Sequence, residues 1–411
     1  MLFLILDWKQ PLFYLGGDSK QYIDYANNLS LLFGDTERFS ASLIVRTPGF
    51  PTLLWLAQHL SGGDLRVGLL LLHTTFAAGA VFLCAWVFRD TIPIVLSGLA
   101  VGLTIVLSRE IFPAVVTEWT AMMLLLIEYA LCVRYLSANK KFDLYCFTFG
   151  ISLLVLIKPI FVFSLVLPLF LAWKREVLLT AKLGRVLLTS LIYFPILVVV
   201  LVNEVRFRTL SISPAGSLSF AAVLASFGAS SQLETDSIQF KNFVEQLEKR
   251  RVTASVTELE KLRDLEAEGL FSAAAINYDN FMALREDLGL KWMEFLGLVN
   301  EYIKRGLVDY HSLYWRFVVS GLLSLFESLW MVIPGLLLPF CFLSRVRERP
   351  VAQATIFFYI GHLLQVVTTC FFGVIHSRYY NLTYFPMLTI SLASTFFFIF
   401  SLLKKERSLS S

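Results

Sequence analysis

The chain has 411 residues, of which 57% are hydrophobic and only 16% charged, and its mean hydropathy is +0.69. Soluble domains carry about 25% charged residues, so lipid is the solvent for most of this chain and a soluble enzyme is excluded. The net charge of +4 gathers into no basic stripe, which argues against nucleic acid as a partner.

The first sixteen residues are too short and too interrupted, by Asp7, Lys9 and Pro11, to make a full span. They read as the remnant of a first helix or as an interfacial segment. No small-residue cleavage site follows, so no cleavable signal peptide is expected. Residues 17–66 form a polar segment. Within it, Asp18 and Gln21 have the D-x-x-Q form of a capping box, with Gly34 as a stop and Tyr22 and Tyr25 as candidate interface aromatics. A spanning helix needs about 20 apolar residues. Candidates follow near 68–88, 91–107, 117–136, 185–203, 318–343, 352–373 and 381–403.

The apolar run 143–173 is broken by Lys158-Pro159. Arg134, Lys140 and Lys141 precede it, and Lys174, Arg175 and Lys182 follow it. Basic flanks mark the cytoplasmic side, so the run is expected to cross and return as two short helices turning at Lys158-Pro159. The same rule makes Arg89, the 134–141 and 174–185 loops, 345–349 and the tail at 404–407 cytoplasmic. The fold class expected is all-α: a polytopic membrane protein with about nine or ten transmembrane helices, a first outer loop bearing an aspartate and one large helical extracytoplasmic loop. Three regions result. Residues 1–203 form an N-terminal transmembrane region containing the 17–66 loop, 204–316 a helical cap with amphipathic stretches at 240–265 and 278–308, and 317–411 a C-terminal transmembrane region with a short cytoplasmic tail. The five cysteines, at 84, 132, 146, 341 and 370, lie in or beside apolar runs and read as packing residues.

This topology collects the unusual polar residues on the outer side. They are Asp18, Lys20, Tyr22, Tyr25 and Arg46, then Arg109, Glu110, Thr117 and Glu118, then Lys158, then Asn203, Glu204, Arg206 and Arg208, and last His376-Ser377-Arg378-Tyr379-Tyr380. Each has a local reading: Asp18 as an N-cap, Glu118 as a helix-dipole partner, Lys158 as a snorkelling side chain. Together, ionisable groups near bilayer depth pair or line a wet cavity. Basic residues on the outer side run against the usual bias and suit an anionic ligand such as a lipid phosphate. A carboxylate among such cations suits group transfer from a polyprenyl-phosphate sugar, with the cations on the leaving phosphate and the carboxylate as general base. No metal-ligand spacing or phosphate-cradling glycine loop offers a rival reaction.

The motifs and their order resemble the GT-C superfamily of polytopic glycosyltransferases, in the branch of protein O-mannosyltransferases and the lipid A aminoarabinose transferase. The pattern D-x-x-x-Y-x-x-x-A matches Asp18 to Ala26, and R-x-P-G-Y-P matches Arg46-Thr47-Pro48-Gly49-Phe50-Pro51. A T-E pair opening a span matches Thr117-Glu118. R-P matches Lys158-Pro159, and a late R-Y with a downstream proline matches Arg378-Tyr379 and Pro386. Lysine replaces arginine at 158 and phenylalanine replaces tyrosine at 50. The resemblance implies an inverting membrane glycosyltransferase with Asp18 as catalytic base and Glu118 at the catalytic cavity. It implies that Tyr22, Tyr25, Arg46, Lys158, Arg378 and Tyr379 bind substrate. The implied partners are a polyprenyl-phosphate sugar donor, membrane lipid, and an acceptor lipid, glycan or protein, at the extracytoplasmic face of a bacterial inner membrane. No cofactor is required by the sequence, and a divalent metal stays open. Two other readings remain: a transporter or flippase for a lipid-linked saccharide, for which midplane charges and repeated halves are expected, and an inactive family member acting as a membrane partner.

Overall fold

The computed structural model describes residues 17–29, 46–88, 102, 117–174, 179–214, 216–229, 237–253, 268–327, 350–371, 386 and 390. The elements among these residues are helical. In chain order they are α1 (Gly17–Asn27), α2 (Gly49–Leu60), α3 (Leu65–Phe88), α4 (Thr117–Ala138), α5 (Lys141–Ile157), a 3-10 stretch (Pro159–Leu165), α6 (Val166–Lys174), α7 (Leu179–Leu191), α8 (Phe194–Phe207), α9 (Gly216–Ser226), α10 (Ile238–Glu248), α11 (Glu268–Asp287), α12 (Trp292–Glu327) and α13 (Pro350–Phe371).

Among the described residues, three helices are long and apolar enough to cross a membrane: Leu65–Val87, Thr117–Ala138 and Pro350–Cys370. The pair α7 and α8, bent by 55°, makes a fourth if taken as one span. These coincide with the expected spans at 68–88, 117–136, 352–373 and 185–203. The last was expected to be continuous. It breaks because Pro195 has no N–H and fits only at a helix start, so the chain turns at Ile192-Tyr193 and α8 begins anew. The expected spans at 91–107 and 381–403, and most of 318–343, lie outside the described residues.

The break at Lys158 is present and follows from the same chemistry. A residue before proline is pushed out of the α region, and Lys158 is extended at φ −139° and ψ 104°. The chain then reverses. Arg134 bonds Asp143 at one end of the α4–α5 pair and Glu118 bonds Lys158 at the other, so the two helices are antiparallel. Tyr135, in the last turn of α4, donates to the Leu171 carbonyl of α6 at 3.4 Å, so α6 has come back down. Arg185 of α7 donates to the Tyr135 hydroxyl at that same end.

Two hydrophobic cores form. The first joins α1 to α5, the 3-10 stretch, α6 and the start of α13 around Trp119, Tyr129, Phe147 and Phe358. The second is built by residues 207–318, with Phe243, Phe281, Phe295 and Tyr302 packed edge to face. In this cap Asn277, fully buried, clasps both backbone groups of Val252 and the hydroxyl of Ser226. α12 runs without a break across the expected 316/317 boundary, so cap and apolar region share one helix there. α13 joins the two cores. Thr355 meets the Tyr129 hydroxyl at 3.1 Å in the middle of α4, while Val366 and Cys370 belong to the cap core. The cap therefore lies at the 117/158 end of the bundle.

One buried carboxyl stands apart from both ends. Glu128 sits in the middle of α4 against Gly150 of α5, so close that a Cβ on Gly150 would lie 1.5 Å from Oε1. Its Oε2 has no hydrogen-bond partner among the described residues.

Candidate active site

Four of the sequence motifs meet at the 117/158 end. Glu118 stands in the first turn of α4, where a carboxylate suits the helix dipole. Its Oε1 accepts from Lys158 Nζ at 2.8 Å, and its Oε2 from the Thr117 hydroxyl at 3.3 Å. The side chains are 4% and 8% exposed respectively, so Lys158 pairs inside the protein and does not snorkel to the headgroups.

The turn opening α2 is pressed against the end of α5, just before Lys158. The Thr47 hydroxyl donates to the Ile157 carbonyl at 3.2 Å, one of the orphan acceptors at the end of α5. Gly49 lies against the same backbone; a Cβ there would meet the Leu156 carbonyl carbon and oxygen at 2.5 and 2.6 Å. Only glycine allows that approach. Arg46 and Lys158 are thus fixed relative to each other, because Thr47 is bonded to the residue immediately before Lys158.

α1 supplies the third component. Asp18, Tyr22 and Tyr25 occupy positions i, i+4 and i+7, one stripe of the helix. The helix begins at Gly17, so Asp18 lies within its first turn; Asp18 is described through its backbone alone. Gln21, the second residue of the D-x-x-Q pattern, has its Oε1 turned to Arg46, accepting from Nε at 2.8 Å. Tyr22 and Tyr25 are buried and are not interface aromatics. Tyr22 packs edge-on against Phe50, with ring centroids 5.2 Å apart, and the Arg46 guanidinium lies 4.9 Å from its ring centre. Burial pushes the Tyr25 phenol well above its ordinary range, and the Arg206 guanidinium at the end of α8 pulls it partly back. Arg206 therefore lies within electrostatic reach of α1.

Glu118, Lys158, Arg46 and Tyr22 are thus gathered by contacts between α1, α2, α4 and α5. Arg378 and Tyr379, like Arg109 and Glu110, lie outside the described residues. Gln21 and Thr47 were not among the expected site residues. Thr47 had a signal, its place beside Arg46 in the turn motif, whereas Gln21 had none beyond a capping pattern. Among the described residues no group of three His, Cys, Asp or Glu could hold a metal ion. The arrangement presents cations and a carboxylate at one end of an apolar bundle, a setting that can hold an anionic headgroup while its tail stays in lipid. Comparison with known protein families, curated proteins and solved structures finds no match.

Proposed function

We propose that this protein is a membrane glycosyltransferase that moves a sugar from a polyprenyl-phosphate donor to an acceptor at the extracytoplasmic face, with inversion. The observation that carries the reading is the meeting of Glu118, Lys158, Arg46 and Tyr22, from motifs far apart in sequence, at the end of the bundle that bears the cap. In this reading Asp18 takes the proton from the acceptor hydroxyl or amine as that atom attacks the anomeric carbon. The bond from that carbon to the phosphate oxygen breaks on the opposite side. The polyprenyl phosphate leaves with the electron pair, and Arg46, Lys158 and the expected Arg378 stabilise its charge. Glu118 holds Lys158 in place at the cavity, and Tyr22, Tyr25 and Tyr379 line the donor site. A divalent metal stays open in this scheme.

The topology proposed with this function has about nine or ten spans, the site extracytoplasmic and the C-terminal tail cytoplasmic, in a bacterial inner membrane. The transporter reading draws on one observation, the Glu128 carboxyl buried midway along α4. The discriminating experiment supplies labelled polyprenyl-phosphate sugars, one at a time, to membranes carrying the protein. Transfer to a product, lost in Asp18→Asn at equal expression, supports the enzyme. Movement of label across the bilayer without transfer supports the transporter, and full transfer by Asp18→Asn removes Asp18 as the base.

A further inference from the structure

Gln21 is the second residue of the site that the motifs do not name, and its geometry gives it a distinct task. An arginine has a long side chain with many rotamers, and a planar fork that grips phosphate well in only a few orientations. Three contacts from α1 hold Arg46. Its Nε donates to Gln21 Oε1 at 2.8 Å, Nη1 reaches the Tyr22 hydroxyl at 3.5 Å, and the guanidinium carbon lies 4.9 Å from the Tyr22 ring centre. The shortest of these polar contacts is the one to Gln21. Tyr22 is itself braced by Phe50, which stands edge-on at 80° to its ring. Gln21 and Tyr22 are neighbours on α1, so one short helix supplies both the platform and the orienting acceptor.

The chemistry of the acceptor matters as much as its position. Lys158 is matched by a carboxylate, Glu118, and that contact offsets its charge. The partner on Arg46 Nε is a neutral amide oxygen, and this bond fixes the plane of the guanidinium. A preorganised cation of this kind binds an anion with less loss of side-chain freedom. We propose that Gln21 is a positioning residue that orients Arg46 to receive the phosphate of a polyprenyl-phosphate ligand. The proposal rests on reading this end of the bundle as the donor-phosphate site.

The test titrates purified full-length protein in detergent with a polyprenyl monophosphate, and measures transfer from the labelled donor in parallel. Gln21→Met keeps the size of the side chain and removes its acceptor; Gln21→Ala serves as a second variant. The expected result is about tenfold weaker binding of the monophosphate, the scale of losing a hydrogen bond to a charged group. Donor KM rises accordingly, while kcat stays within about twofold. In Arg46→Ala, adding Gln21→Met changes nothing further, because Gln21 acts through Arg46. Wild-type affinity in both Gln21 variants, with Arg46→Ala impaired, overturns the role of Gln21 and leaves the site standing. Additive losses in the double variant overturn it equally. Failure of the wild-type protein to bind the monophosphate overturns the site reading and this proposal with it.

Discussion

The α4–α5 pair is pinned by an ion pair at each end, and the two pins are built differently. At the 138/141 end, Arg134 and Asp143 lie nine positions apart in sequence and meet across a tight turn at 3.0 Å; the arginine is 25% exposed and stacks on Trp86, 3.8 Å from the ring centre. At the 117/158 end, Glu118 and Lys158 are forty positions apart and nearly sealed from solvent, at 4% and 8% exposure. The first pair is a local device that closes a helical hairpin, with a planar, weakly hydrated cation suited to stacking. The second buries a strongly hydrated ammonium, which a purely structural contact would make better with apolar side chains. Its surroundings differ too: Thr47 and Gly49 press on the α5 backbone just before Lys158, whereas the Arg134 pair has an aromatic ring. The difference separates an end closed by a local hairpin contact from an end where residues distant in sequence meet in the interior, which is the end that the proposed function uses.

Breaking the sealed pair on one side has the largest expected effect. Lys158→Met removes the ammonium bonded to the buried Glu118, and is expected to lower stability by about 3–5 kcal/mol, read from thermal unfolding in detergent, with transfer lost. Gly49→Ala places a methyl group against the α5 backbone and forces α2 away from it. It is expected to destabilise by about 1–3 kcal/mol and to reduce transfer beyond what the unfolding shift explains, because Arg46 moves with the turn. At the other end, Arg134→Leu exposes the buried Asp143 to a missing partner, at about 1–3 kcal/mol. There the folded fraction should transfer at the wild-type rate; a defect in turnover per folded molecule would erase the contrast between the ends. Smallest is Thr47→Val, which removes one hydrogen bond to the Ile157 carbonyl at about 1 kcal/mol and should raise donor KM more than it lowers kcat.

Much of this contrast was legible in the sequence. Lys158-Pro159 announced the reversal, because proline constrains its predecessor and lacks a donor, and the basic flanks fixed which ends of the run lie together. The order of the motifs along the chain suggests one end of the bundle, and the structure brings Tyr22, Arg46, Glu118 and Lys158 toward it. What could not be read is which polar group meets which. Gln21 looked like half of a capping box until its side chain was found on Arg46, twenty-five positions away. Lys158 carried the same letter whether it reached for headgroups or for Glu118. Glu128 drew no notice within an apolar helix, since its burial depends on a glycine at position 150 of another helix. The bend between α7 and α8 was missed because hydropathy alone carries no signal of a proline restart.

The most direct measurement removes both charges of the sealed pair together. In Glu118→Gln/Lys158→Met the carboxylate and the ammonium are removed together, so stability should return to within about 1–2 kcal/mol of the wild type. A structural pin replaced in this way would leave activity untouched. If the pair serves the proposed transfer, the double variant is folded and membrane-inserted but no longer transfers sugar from a polyprenyl-phosphate donor; transfer at the wild-type rate would contradict that role.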